Sequence, residues 1–458
     1  MTTVAGRLAA FAASPSVPPD VAGMVRWHVL DTVGVAIAAL PLDTSQAVVA
    51  MMREQGGAGQ SSIVGERARV PMASAAFANG VLAHSLDYDD THLPSILHPS
   101  ASVVPAAFAV AEHAGASREA FLDATAAGIE ICIRTGMAGY DAARRQSLFF
   151  ERGQHATSIC GALGAAAASA RLLGLDAAGI AHALGIAVSM GSGVLEGNRA
   201  GGTVKRVHCG WAAHAGVTAA MLAARGITGP PTAFEGRFGF YQAWLSGEYD
   251  DAPLRAPGEW EIRRLHFKPY PANHFTQAAI DAAIALRDDG LGPGDVASIT
   301  VGVPTPTVRT IGEPVEAKRV PATGYQAQFS GPYAVAAALH GGGGLGLGLD
   351  DFSDALAADP DRRALMQRIE IVADPECDAI YPDEFPAIVR VTTRDGRALE
   401  RKVLSNRGGP GRPLSDDEVL RKFRDNATRA LSDADAGAVE DALREGEVNL
   451  PWPATTSS

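Results

Sequence analysis

The 458-residue chain is short of several features that would narrow its function at once. It has four cysteines, Cys132, Cys160, Cys209 and Cys377, at irregular spacings and with no Cys-x-x-Cys pair, which removes a dithiol redox motif and points to buried free thiols in a reducing cytoplasm. No Walker A sequence and no Gly-x-Ser-x-Gly elbow is present. Gly341, Gly343 and Gly346 formally match G-x-G-x-x-G, but the run 341–348 follows a predicted helix and does not open one, so it reads as a flexible loop rather than a nucleotide site. No apolar run approaches the roughly 18 residues that span a bilayer, and no membrane partner is expected. The apolar stretch Leu8–Ser14 has only Arg7 as a basic residue before it and reads as a first amphipathic helix, not a signal peptide. Positive charge is also in deficit, with 39 Lys and Arg against 51 Asp and Glu and a net charge of -12, which excludes nucleic acid as a main partner. An acidic balance does not exclude an anionic substrate, because a few lysines in a closed pocket set a local positive field.

What is there is a globular composition, 47% hydrophobic and 20% charged, in a chain long enough for two or three domains. Residues 1–265 read as helical: rich in Ala, Leu and Ile, low in charge, and punctuated at helix-length intervals. Gly174 is placed to end one helix in a left-handed conformation and Asp176 to cap the next. Gly226 closes the helix that starts near His208. So much alanine predicts helices packed closely on several sides rather than an amphipathic shell. After residue 266 the period changes. Ile299, Val301 and Val303 alternate with small or polar residues, as do Ile369 and Ile371. Val389, Val391 and Thr393 lead through Asp395-Gly396 into Leu399, Arg401 and Val403, a hairpin pattern. With helices over 276–287 and 330–340, residues 266–404 form a smaller α+β domain. Residues 405–458 return to helix, opened by a Ser415/Glu418 capping box, and pack back on the helical domain. The fold class is therefore mainly α with an α+β insertion, joined by two chain crossings that can act as hinges.

The chemistry concentrates in a few places. Residues 84–98 hold His84, Asp87, Asp89, Asp90, Thr91, His92 and His98 between apolar stretches. On helical spacing Asp87 and Thr91 share a face, as do His84 and Asp87. The residue types allow a divalent metal site, a charged loop with capping aspartates, or an acid–base set in which Asp87 orients a histidine. His98-Pro99-Ser100 then starts a helix, whose free N–H groups suit a carboxylate. Lys205, after Gly201-Gly202, is a point charge at the edge of a core, or else a solvated loop lysine. Lys268 and His274 sit in the stiff segment Phe267-Lys268-Pro269-Tyr270-Pro271-Ala272-Asn273-His274 at the expected domain boundary. His155 opens an almost uncharged helix, as a cap, a core group or a functional one.

Several blocks, in order and spanning nearly the whole chain, resemble the MmgE/PrpD family. They are His84-Ser-Leu-Asp87-Tyr-Asp-Asp90-Thr91 with His98-Pro99-Ser100, Lys205-Arg-Val-His208, Phe267 to Pro271, Phe329-Ser330-Gly331-Pro332-Tyr333, and Gly408-Gly409-Pro410 through Lys422-Phe423. The resemblance implies a large helical domain with a smaller α+β lid, a homodimer, and a positively charged pocket between the domains. It implies a small anionic polycarboxylate substrate, handled without a metal or cofactor. By position, the pocket residues of the family's decarboxylase branch fall on Asp87, Thr91, His98, His155, Lys205, Lys268 and Tyr333. The chemistry expected is formation or quenching of a carbanion-like centre beside a carboxylate. Lys205 and Lys268 hold the developing charge, His98 or His155 moves the proton, and Tyr333 serves a leaving hydroxyl. Thr91 and His274 complete substrate binding, and Glu196 or Arg199 resets specificity. A dehydratase or hydratase of a 2-methylcitrate-like acid is the leading expectation. A cis-aconitate-type decarboxylase, an iminodisuccinate-type epimerase and a non-catalytic carboxylate binder are the alternatives.

Overall fold

The computed structural model describes residues 3–14, 17–197, 202–255 and 259–453. Arg199 lies outside the described residues. Two compact units emerge: residues 1–85, 95–265 and 423–458 form the first, and residues 86–94 and 266–422 the second.

The first unit is helical. Its long helices are Pro19–Ala38, Met72–His84, Ser100–Ala114, Arg118–Met137, Ala156–Leu172 and Lys205–Ala223, with Asp433–Glu445 joining them from the C-terminal end. The expected multilayered core is present. Ala156 to Ala170 are all buried, as is every residue of Met72–His84 except Ala73. Helices this poor in polar side chains cannot present a wet face and so sit among other helices. Gly174 takes φ +76°, and the Asp176 carboxylate accepts from the Gly179 amide at 2.9 Å. The helix Pro19–Ala38 corrects one expectation: it is long and apolar enough to cross a membrane by length and composition, although 72% of its apolar window is buried in the structure. His28 and Asp31 interrupt the run locally but leave the average high.

The second unit is built on a four-stranded sheet in the order Ala398–Val403, Ala387–Thr393, Val296–Val303, Ile369–Ala373. The first three strands pair antiparallel, and Ile369–Ala373 lies parallel to Val296–Val303. The Asp395-Gly396 hairpin forms with Thr392 opposite Ala398 and Gly396 at φ +90°. Helices Gln277–Asp288 and Gly331–His340 pack their alanines with the inward Ile299, Val301 and Val389 into one core.

The division differs from the expected boundaries in two places, each for a visible reason. The second unit continues beyond residue 404 to Lys422, because the Asn406 side chain accepts from the Phe385 amide at 2.7 Å and the Arg407 guanidinium donates to the Tyr270 hydroxyl at 3.0 Å. Residues 86–94 also belong to it, although their neighbours on both sides in the chain belong to the first unit. Tyr88 donates from its hydroxyl to the Pro269 carbonyl, and the Lys422 ammonium both donates to the Tyr88 carbonyl and lies 3.9 Å from the centre of its ring.

Candidate active site

In the first unit, three helix ends are brought to one place by close backbone crossings. A Cβ on Gly80 would stand 2.8 Å from the Cys209 carbonyl oxygen, and one on Gly210 would stand 2.5 Å from the Phe77 carbonyl oxygen. Met72–His84 and Lys205–Ala223 therefore touch backbone to backbone, close to the end of the first, at His84, and the start of the second, at Lys205 and His208. Gly216 similarly lies against Ala165, so Lys205–Ala223 packs along Ala156–Leu172, whose N-cap is His155. The turn before His155 is pinned as well, since its amide donates to the Gly193 carbonyl at 3.0 Å.

The outcome is a row of four imidazoles. Ring centres are 5.7 Å apart from His98 to His84, 5.6 Å from His84 to His155, and 4.9 Å from His155 to His208. The last two rings are hydrogen-bonded, Nδ1 to Nδ1, at 2.9 Å. His98 is half-buried, and the other three are buried. The His98 amide donates to the Thr157 hydroxyl, which ties this loop to the helix that His155 opens. Lys205, only 7% exposed, is the first residue of its helix and one turn before His208.

Burial and neighbouring positive charge disfavour the protonated forms of His155 and His208. Burial pushes His155 well below its ordinary value, and His84, His208, Lys205 and His98 push it further. Burial, then His84 and Lys205, lower His208 to about 4. Two helix N-termini, at His155 and at Lys205, add positive potential of the same sign. A site of this kind disfavours further protons and favours an anion. Among the described residues, no group of three or more His, Cys, Asp or Glu side chains is arranged to hold a metal ion.

In the second unit, Asp87 and Lys268 meet. Lys268, fully buried, donates from Nζ to the Asp87 carbonyl at 2.8 Å and to its carboxylate at 3.4 Å. The helical spacing expected for His84, Asp87 and Thr91 is corrected: the helix ends at His84, Asp87 has φ +52°, and Thr91 lies in a short strand. A left-handed φ is tolerated by aspartate better than by most residues, and a buried lysine on its carbonyl holds it there. Thr91 is buried in the same segment. His274 is in edge contact with the His266 and Phe385 rings. Tyr333 is a core residue whose hydroxyl donates to the Asp351 carbonyl and accepts from Arg362 at 3.1 Å. Glu196 is exposed.

Sequence reasoning assigned no role to His208 or His84. The signal for His208 was its position three residues after Lys205, which puts both on one helical face. For His84 the signal was its neighbourhood in the 84–98 cluster.

The chain matches the MmgE/PrpD N-terminal domain over residues 6–252 and the MmgE/PrpD C-terminal domain over residues 270–445. It belongs to the MmgE/PrpD family. The chain is 31% identical over 381 residues to the human cis-aconitate decarboxylase, covering 80% of this chain and 74% of that protein. It is 27% identical to the cis-aconitate decarboxylase-like protein oryM of Aspergillus oryzae, across 93% of this chain and 90% of the relative. A 2-methylcitrate dehydratase of Cupriavidus necator is 28% identical over a shorter stretch, 57% of this chain and 55% of its own length. These MmgE/PrpD relatives are thus enzymes named for carboxylic acids, and the decarboxylases match over more of the chain than the dehydratase does. That order reverses the expectation, which put dehydration first.

Proposed function

We propose that this MmgE/PrpD protein is a lyase that releases carbon dioxide from a cis-aconitate-like tricarboxylate, with Lys205 holding a carboxylate and His98 and His155 moving the proton. The observation that carries this reading is the row of imidazoles beside the buried Lys205. Loss of carbon dioxide breaks a carbon–carbon bond and leaves the electron pair on a carbon conjugated with an alkene and a carboxylate. That carbon then takes one proton. Neutral imidazoles at His155 and His208 are poor acids, and the substrate itself corrects this. An opposite charge within about 4–6 Å favours the charged form by about 1–3 pKa units. Bound carboxylates therefore turn an imidazole from a neutral group into a proton donor, where the proton is needed. Lys205 stays as the fixed charge that stabilises the developing anion.

Dehydration of a 2-methylcitrate-like acid is the second reading, supported by the shorter match to the Cupriavidus necator enzyme. One experiment separates the two: proton NMR of the protein with cis-aconitate and with 2-methylcitrate in deuterated water, with carbon dioxide measured in parallel. The lead reading expects carbon dioxide from cis-aconitate and one deuterium on a carbon of the product. Loss of water from 2-methylcitrate, with cis-aconitate unchanged, would reverse the order of the two readings.

A further inference from the structure

The bond between His155 and His208 carries a second consequence, which rests on the proposed role of the imidazole row in proton transfer. Two Nδ1 atoms at 2.9 Å need one proton between them. Two bare nitrogens would repel, and two N–H groups would meet head-on. The tautomer of each ring is therefore fixed by the other. His208 is held for this: Ser158, on the first turn of the helix that His155 opens, donates from its hydroxyl to the His208 carbonyl at 2.9 Å. The titratable groups that act on the pair are His84 from the helix Met72–His84, His98 from the loop before Ser100–Ala114, and Lys205 from the helix of His208 itself.

We propose that His208 is a positioning residue that sets the tautomer of His155 and exchanges a proton with it through Nδ1. In the resting pair, His155 donates from Nδ1 and its Nε2 carries a lone pair. When Nε2 gains a proton, the Nδ1 proton passes to His208. His155 is then neutral with its proton on Nε2, and His208 is the imidazolium. In the reverse direction Nε2 gives its proton to the substrate carbanion while His208 returns its own to Nδ1 of His155. No proton is gained or lost by the pair beyond the one transferred.

The test uses the full chain with histidine ring nitrogens labelled with nitrogen-15. A coupling across the Nδ1–H···Nδ1 bond in the wild type is expected, with a single tautomer for His155. His208→Leu should lower kcat on cis-aconitate at least tenfold, and by no more than the factor of about 10²–10⁴ that one positioned acid or base contributes, while KM moves by less than about threefold. His208→Asn restores an amide at the Nδ1 position and should recover several-fold of that loss, but without the acid-side change in the pH profile of kcat. Wild-type turnover and an unchanged His155 tautomer in both variants would overturn the proposal. Should His208→Leu fail to fold, the wild-type spectrum decides: absence of the coupling, with averaged tautomers, overturns it. His155→Gln separates the two layers. An active His155→Gln protein removes the proton-transfer reading itself, whereas an inactive one beside fully active His208 variants removes only the role of His208.

Discussion

Gly80 and Gly210 meet backbone to backbone, and no side chain fits between them. This contact sets the distance between the helix that ends in His84 and the helix that begins with Lys205. Alanine would gain about 1 kcal/mol over glycine in helix propensity at either position. The added methyl group would instead press on the Cys209 carbonyl oxygen and the Gly210 Cα at position 80, or on the Phe77 carbonyl oxygen and the Val81 amide and methyl at position 210, and the backbone atoms cannot swing away. Overpacking of this kind costs about 1–3 kcal/mol. Gly210→Ala is therefore expected to be destabilised by up to about 2 kcal/mol net in urea unfolding, with a fall in kcat as His84 and His208 separate. Equal or greater stability than the wild type would remove the crossing as the device that builds the row.

The two inner histidines make stability depend on pH in a definite direction. In the unfolded chain each titrates near its ordinary value of about 6.5. In the folded protein burial and neighbouring cations hold His208 at about 4 and His155 well below its ordinary value. Between these values the unfolded chain binds more protons, so the contribution is complete above pH about 6.5 and is lost as pH falls toward 4. Each histidine adds a slope of up to about 1.4 kcal/mol per pH unit. Urea unfolding from pH 7.5 to 5 is expected to give a steeper loss for the wild type than for His208→Asn. Identical slopes would contradict the depressed value.

Local signals in the sequence were legible because local physics determines them. Gly174 with Asp176, the Asp395-Gly396 hairpin and the reciprocal Ser415/Glu418 bonds are each complete within a few residues. The segment around Asp87 was not legible in the same way. Its composition marked it as a polar cluster, but helical spacing failed at φ +52°, and its membership of the second unit is decided by Lys268 and Lys422, 181 and 334 residues away in the chain. The same holds within the first unit. His155 and Lys205 were visible as candidates, but the bond from His155 to His208 depends on how two alanine-rich helices stack, which no spacing encodes.

The half-buried His98 stands at the outer end of the row, and Lys205 is the fixed charge beside it. Their losses should therefore differ in kind. His98→Ala is expected to lower kcat on cis-aconitate by roughly 10²-fold while the affinity for an unreactive tricarboxylate stays within a few-fold. Lys205→Met should chiefly raise KM, because a carboxylate meets that charge in the ground state as well as in the transition state. Steady-state kinetics and analogue titration on the same two proteins check both. A His98→Ala protein that is less stable but turns over normally would leave His98 as a structural residue of its loop.

The most direct measurement is the number of protons taken up when an unreactive tricarboxylate binds. Calorimetry in buffers of different ionisation enthalpy yields that number. If bound carboxylates turn neutral imidazoles into proton donors, binding at pH 7 draws protons from solution, and uptake grows as pH is lowered toward 6. It should shrink in both His155→Gln and His208→Asn. Tight binding with no proton uptake between pH 6 and 8 would contradict proton donation by the histidine row.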